Sequence, residues 1–475
     1  MADTTFFWHD YETWGIDPRR DRAAQFAGIR TDMNLEIVGE PVMIYCQPGI
    51  DFLPSPDAAL VTGITPQVAA ASGLIEAEFF QKINQEFSVP GTCGVGYNSI
   101  RFDDEITRFG FYRNFIDPYA REWQNGNSRW DILDLVRMTY ALRPEEINWP
   151  EREDGLPSFR LELLTAANDI EQVGAHDALV DVKATIDMAK LIKRLKPRLF
   201  DFYFDLRKKD QVAALLNLRT QEIVLHISGM FSAAQGCISP VMPLMQHPIN
   251  KNEIIVYDCR KDPELMLSMS AEEMSSNLFT PNADRNTDEE RIGLKGVHLN
   301  KSPALAPVKT LSAELAERWE INWQQVEQNR QKIINNPDLL ERLRELYLMK
   351  PEFGSNDTDA ALYDGFINNN DRRFCEQILE SSSQELAEWT PPFSDKRLQT
   401  LYLRYRARNW PETLNEQDRL QWQEFCHARL VDGEYGCTLS VSDFQLRMEE
   451  LSQQTLTENK KKVLEQLVKW VQQYN

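Results

Sequence analysis

The chain contains no run of eighteen or more apolar residues. A membrane-spanning helix needs about 20, so none is expected. The opening MADTTFFWHDYET has no basic stretch followed by an apolar run, which argues against a cleaved export signal. Seven cysteines are scattered without a CxxC pair, a pattern that speaks against zinc knuckles and against a disulfide framework. A cytoplasmic protein is the expectation. Basic side chains are also scarce, with Lys+Arg at 52 against Asp+Glu at 73 and a formal net charge of -21. A uniformly acidic surface repels a polyanion. That objection is incomplete, because carboxylates that hold divalent cations are counted in the total, and a narrow basic groove can coexist with acidic outer faces.

At 475 residues the chain exceeds one ordinary core, and two or three domains are expected. Residues 5–200 have an α/β pattern. Phe6, Phe7 and Trp8 open a short strand that ends in Asp10 and Glu12, and 34–46 reads as a strand pair with a turn near Gly39–Pro41. Thr65 and Pro66 are the cap and first residue of a helix to about Ala71. Further helices are expected over 75–87, 106–115, 132–141, 161–168 and 175–195, with a strand over 92–97. This makes a mixed sheet flanked by helices. After the basic stretch KRLKPR at 193–198, β-prone pieces over 222–227, 254–257 and 295–299 suggest a small β domain. From about Ser312 the pattern is helical (312–334, 337–348). It continues past a turn-rich linker at 351–360 through 361–367, 372–380, 383–388, 396–409, 418–430 and 442–470. The domain division expected is 1–196, 197–350 and 355–475. No internal repeat or low-complexity segment is present.

Three acidic pieces carry the chemistry. Asp10 and Glu12 are two apart on a strand and project to one face, with Cα atoms roughly 6.5 Å apart. Such a pair suits two divalent ions, which in two-metal sites lie ~3.5–4 Å apart. Equally, both acids could face solvent at the strand end. Asp103 and Asp104 follow an apolar strand and precede a helix, where one of them could be an N-cap. His176 stands at a helix entrance about one and a half turns before Asp181, and could overhang a metal held there or be structural. The carboxylates among them are hard oxygen ligands suited to Mg²⁺ or Mn²⁺.

In order and spacing, Asp10-Tyr11-Glu12-Thr13, Asn98 through Phe102-Asp103, and His176-x-x-x-x-Asp181 resemble the three exonuclease motifs of the DnaQ-like superfamily in its DEDDh branch. Thr62-Gly63-Ile64-Thr65 resembles that group's element beside the terminal nucleotide, and Ser158-Phe159-Arg160-Leu161 its segment before the last motif. HDYETWG, VGYNSIRFDDE, NSRWDILD, ALRPEEINWP, DGLPSFRLE and the distant YRARNWPETL are similar to the bacterial exodeoxyribonuclease I family across the whole chain. The resemblance implies a ribonuclease-H-like exonuclease domain, a small SH3-like β domain and a C-terminal helical domain around a DNA cleft. It implies 3′→5′ hydrolysis of single-stranded DNA to nucleoside 5′-monophosphates, in repair and recombination, with two Mg²⁺ per site and Mn²⁺ as substitute. Asp10, Glu12, Asp103 and Asp181 would be the metal ligands, Asp10 bridging, and His176 the base. Its ordinary pKa near ~6.5 suits work near neutrality. Thr13, Thr62, Ile64, Asn98 and Arg160 would touch substrate. A monomer is implied, as is contact with the acidic C-terminal tail of single-stranded DNA-binding protein.

Basic candidates for phosphate contact are Lys193, Arg194, Lys196, Arg198, Arg207 to Lys209, and Arg404, Arg406 and Arg408 beside Tyr402, Tyr405 and Trp410. Alternating arginines with aromatics suit phosphate contact and base stacking, or equally a solvated helix face with one buried seam. Nothing in the residues decides DNA over RNA. An RNA-trimming or proofreading exonuclease of the same superfamily therefore stays open, as does an inactive nucleic-acid-binding adaptor. The adaptor predicts a missing ligand, and all five core residues are present.

Overall fold

Phe6, Phe7 and Trp8 are all buried, although consecutive strand residues point to opposite faces. The strand that carries them must therefore be covered on both sides. A computed structural model of the chain, which describes residues 4–172, 177–281, 290–349 and 357–472, places it accordingly. β1 (Thr5–Thr13) pairs antiparallel with β2 (Ala23–Thr31), which pairs antiparallel with β3 (Val42–Tyr45). On its other side β1 pairs parallel with β4 (Thr92–Gly96), giving the order β3-β2-β1-β4 in a mixed sheet. The chain divides into two compact units that are not sequential. The first combines Met1–Ser128, Gln172–Ile186 and Gly354–Asn475; the second combines Arg129–Glu171 and Asp187–Phe353.

In the first unit, α1 (Pro56–Thr62), α2 (Pro66–Ser72), α3 (Glu76–Phe87) and α4 (Asp103–Arg113) follow the early strands. The Thr65 side chain caps α2 by accepting from Val68 N–H, with Pro66 at the first turn, as expected from the sequence. Phe79, Phe80, Ile83 and Phe87 of α3 pack with Phe7, Tyr11 and Phe26 of the sheet and with Ile106 and Phe111 of α4. The far end of α4 is closed by the C-terminal segment. Phe109, Tyr112 and Phe115 share a core with Ile378, Leu398, Leu401, Tyr402 and Tyr405, and Leu53 and Ala59 share another with Phe444, Leu464 and Leu467.

In the second unit, β6 (Val224–Ile227), β7 (Ile238–Gln246), β8 (Glu253–Asp258), β9 (Leu294–His298) and β10 (Ala304–Pro307) form an antiparallel sheet in the order β10-β6-β7-β8-β9. β5 (Ser128–Asp131), the next strand in the chain after β4, is the fifth strand of the first sheet.

Several expectations need correction. The strand pair over 34–46 is a single short strand, β3, and its partner β2 lies earlier. Residue 361–367 is not an α-helix but short 3-10 turns at Thr358–Ala360 and Leu362–Asp364, and the α-helix begins at Asn369. The helices expected over 312–334 and 442–470 are each broken in two, at 319–322 and 453–457. β7 and β10 were not anticipated. β7 contains Pro240 and Pro243, which lack the N–H a ladder uses and normally argue against an interior strand. It tolerates Pro243 because its register with β8 shifts between Pro243 and Met245.

Candidate active site

β1 delivers two acids to one place. Asp10 and Glu12 face the same side of the strand, and α7 (Ala178–Leu195) brings Asp181 in its first turn. One carboxylate oxygen from each of Asp10, Glu12 and Asp181 lies within 4.8 Å of the others. Asp103 joins them from α4, its Oδ1 accepting the Tyr11 backbone N–H at 3.1 Å. That bond holds Asp103 against the strand residue between Asp10 and Glu12. Asp103 and Asp104 are thus not caps. Phe102 occupies the N-cap without a side-chain bond, and Asp104 pairs with Arg121 at 2.5 Å.

Like charges in a buried place resist ionisation. Burial, then Asp103, Glu12 and Asp181, hold the Asp10 carboxyl well above the usual range. Burial, then Asp181, Asp103 and Asp177, push Glu12 up to about 8. Carboxylates that raise one another in this way fit hard divalent cations, which prefer oxygen ligands and would offset the repulsion. His9, beside Asp10 in sequence, is no part of this. It is buried against Phe87, and burial lowers its pKa to about 4, so it stays neutral packing.

Two supporting residues were not visible in the sequence. Gln172 Nε2 donates to Asp181 Oδ1 at 2.7 Å, fixing the carboxylate's orientation. Gln25 Oε1 accepts the Ala178 N–H at 3.3 Å, docking the start of α7 on β2. Gln25 finds its partner 153 residues away and Gln172 finds its own only nine residues on, but no local pattern marks either. Outer-shell partners of metal ligands typically matter ~10–100-fold in affinity or activity. Gln172→Ala is therefore expected to raise the metal concentration for half-maximal activity by about that factor, while Gln172→Glu, adding a fifth acid, weakens turnover further. A metal titration of both variants checks this.

His176 lies outside the described residues. Thr13 ends β1, its Oγ1 donating to the Gly15 carbonyl at 2.6 Å. Thr62 Oγ1 accepts the Ile64 N–H at 3.1 Å, and Ile64 packs with Trp14, Phe52 and Ala69. Asn98 follows β4 in the left-handed region at φ 65, its carbonyl accepting Arg101 N–H at 3.2 Å. Arg160 belongs to the second unit, where its side chain is 70% exposed and paired with Glu162. Lys196 pairs with Glu145 and Glu146, the Arg207 guanidinium stacks 3.5 Å from the Phe204 ring, and Arg194 and Arg198 are exposed.

The reading of Arg404, Arg406 and Arg408 as a phosphate-binding row is corrected. Arg404 and Arg406 are buried, and the side chain of Arg408 is only 3% exposed. Arg404 reaches Asp357 Oδ1 at 2.9 Å and Asp359 at 3.2 Å. Arg408 reaches Asp51 at 2.9 Å and Asp359 at 2.5 Å, and Arg406 reaches Asp418 at 3.1 Å. Carboxylates from distant segments neutralise them, so the alternation reports a buried ionic core rather than a DNA face.

Comparison with known proteins matches three family models in succession: exonuclease over residues 7–189, exonuclease I SH3-like domain over 207–349, and exonuclease I C-terminal domain over 356–474. The chain is 47% identical over 429 residues to exodeoxyribonuclease I of Escherichia coli K12, covering 90% of each. It is similar to the solved exonuclease I of Methylocaldum szegediense, with TM-score 0.94, 44% identity and 99% of each chain covered. A zinc-bound complex of the E. coli enzyme with single-stranded DNA matches at TM-score 0.93 and 43% identity over 99% of each chain. So does a complex of single-stranded DNA-binding protein and exonuclease I with an inhibitor, at TM-score 0.92 and 42% identity over 100% of each chain.

Proposed function

The chain belongs to the exodeoxyribonuclease I family, and we propose that this 3′→5′ exonuclease of single-stranded DNA works through two Mg²⁺ ions held by Asp10, Glu12, Asp103 and Asp181. The observation that carries the reading is the convergence of Asp10, Glu12 and Asp181 on one point beside Asp103. Use of a divalent metal follows from that cluster and from the zinc-bound relative. Mg²⁺, with Mn²⁺ as substitute, is the choice that an all-oxygen ligand set favours. Such ions, when bound, would lower the pKa of the attacking water and stabilise charge on the departing 3′-oxygen.

The chain's own residues supply the rest. In this reading Asp10 would serve both ions, Glu12 and Asp181 would complete one site and Asp103 the other. Tyr11 N–H and Gln172 hold two of these carboxylates in orientation, so that they need not reorganise during turnover. His176 accepts the proton from the attacking water; Thr13, Thr62, Ile64 and Asn98 contact the substrate, and Arg160 contacts phosphate or the flanking strand. The three sequence segments 1–196, 197–350 and 355–475 carry catalysis, the SH3-like fold and the C-terminal helices. The solved complex of a relative with single-stranded DNA-binding protein supports binding of that partner here; in this reading the contact is made by that partner's acidic tail. The protein acts as a cytoplasmic monomer in DNA repair and recombination.

Matched DNA and RNA oligonucleotides, each single-stranded and labelled at the 5′ end, test the reading with Mg²⁺ and with EDTA. A descending ladder from the DNA alone, absent in EDTA, is expected. RNA degraded as fast, or hydrolysis persisting in EDTA, would reject it. On the same gel His176→Ala should lose ~10²–10⁴-fold in rate at pH 7 while retaining metal and DNA binding.

A further inference from the structure

Helix N-termini leave backbone N–H groups unpaired, and a side-chain cap usually takes one of them. α4 begins at Asp103 without such a cap, since Phe102 makes no side-chain bond there. Its first turn is held instead by its own carboxylates. Asp103 is tied to β1 through the Tyr11 N–H at 3.1 Å. The next residue, Asp104, meets Arg121 of a 3-10 turn at Ala120–Glu122. The Arg121 guanidinium lies 4.4 Å from the centre of the Phe87 ring of α3. Phe87 in turn packs edge-on against Phe7 and His9 of β1, at 5.2 and 4.9 Å. The contacts leave β1 at Tyr11, pass through the first turn of α4, and return to β1 at Phe7 and His9. They form a closed loop inside the first unit.

The ion pair in this loop is a poor source of stability. The side chains of Arg121 and Asp104 are 1% and 3% exposed, so both charges have left water. Nε and Nη1 of Arg121 have no hydrogen-bond partner among the described residues. Desolvation of that kind commonly cancels the attraction of a buried pair, and apolar side chains of similar volume often serve stability as well. What they cannot supply is direction, because hydrophobic contact is non-directional and a charge-assisted hydrogen bond is not. We infer that Asp104 and Arg121 are positioning residues for Asp103, holding the first turn of α4 in register with β1 and so setting Asp103 against Asp10 and Glu12. The inference rests on the reading of Asp103 as a metal ligand. Divalent ions take oxygen ligands at about 2.0–2.6 Å, so a carboxylate that drifts by ~0.5 Å is already misplaced.

Two variants of the full chain separate positioning from stability, because each should move one and largely spare the other. Asp104→Ala combined with Arg121→Met removes the pair and keeps an apolar contact with Phe87. This double variant is expected to unfold in EDTA within about 4 °C of the parent. It should nevertheless bind Mn²⁺ at least about tenfold more weakly in calorimetric titration. Asp104→Asn keeps an oxygen that accepts from Arg121 but leaves the guanidinium without its counter-charge. It is expected to unfold at a lower temperature than the double variant and to bind Mn²⁺ more tightly. Affinity that follows the unfolding temperatures across the three proteins, or equal affinity in all of them, overturns the inference. Amide exchange of residues 103–108 in EDTA separates that failure from failure of the metal reading. Faster exchange there in the double variant, with no Mn²⁺ bound by the parent, rejects Asp103 as a ligand and supports the registration of α4. Exchange equal to the parent's rejects the registration itself.

Discussion

Asp10→Asn is expected to lose at least ~10³-fold of exonuclease turnover and yet to unfold at a higher temperature than the parent in EDTA at pH 8. The loss follows from removing the ligand shared by both metal sites, since such ions supply several kcal/mol of charge stabilisation. The gain follows from the direction of the local pKa shifts. Burial and the neighbouring carboxylates raise Glu12 to about 8, from an ordinary value near ~4.3, and raise Asp10 in the same sense. A carboxyl raised in the folded state binds its proton more tightly there than in the unfolded chain. Its stabilising contribution is full below pH ~4 and is lost as the pH climbs through about 8. The metal-free parent should accordingly lose on the order of 3 kcal/mol across that window, and the asparagine variant less. Mg²⁺ should restore the parent at pH 8, because a ligand bound only by the folded state stabilises it, but should do little for the variant. Thermal unfolding at pH 6 and pH 8, with EDTA and with Mg²⁺, checks all of these arms. A variant less stable than the parent at pH 8 in EDTA would refute the repulsion argument, and retained turnover would refute the role.

Asp359→Ala is expected to destabilise the protein by about 3–5 kcal/mol, the usual effect of removing one partner from a buried ionic cluster. Asp359 is buried and sits among Arg22, Arg404, Arg408 and Arg429 at 3.3, 3.2, 2.5 and 3.5 Å. Arg408 first, then Arg404 and Arg22, outweigh the effect of burial and hold its carboxyl well below the usual range. The cluster is already rich in cations. Burial and then Arg22 lower the neighbouring Arg113 to about 9. Deleting the shared carboxylate would leave guanidiniums facing one another without water to screen them. Urea unfolding measures the effect. Asp418→Ala serves as contrast, because its carboxylate is more exposed and pairs with Arg406 at 3.1 Å, so a loss of ~1 kcal/mol or less is expected there. Equal effects at the two positions would show that the buried cluster has no special weight.

The candidate acids are only partly legible from local rules. A strand apolar on both faces that ends in two carboxylates is unusual on packing grounds, but the reading of Asp10 and Glu12 as metal ligands with Asp103 and Asp181 rests on the family resemblance of the three motifs. What escaped was set by distant partners. β2 is rich in alanine and carries Gly28, a composition with little strand preference. Its reason lies in β1, where the Phe7 ring comes within 2.3 Å of the point a Gly28 Cβ would occupy. Four residues apart, Arg404 and Arg408 share a helix face, but the sequence does not say whether that face meets solvent or Asp51 and Asp359. Asp103 looked like a cap because caps are local; its bond to Tyr11 is not. The prolines of β7 hid a strand that a register shift rescues.

The first compact unit draws on the beginning of the chain, on a short piece ending at Ile186, and on Gly354–Asn475. A ribosome makes these pieces in order at ~5–20 residues per second. Roughly 15–60 s therefore pass between the emergence of Ile186 and that of the last residue. During that interval all four candidate ligand acids exist, but Phe109, Tyr112 and Phe115 still lack the helices that cover them, and Arg22 lacks Asp359. The core at the far end of α4 and the buried ionic cluster are therefore completed only when the last helices emerge.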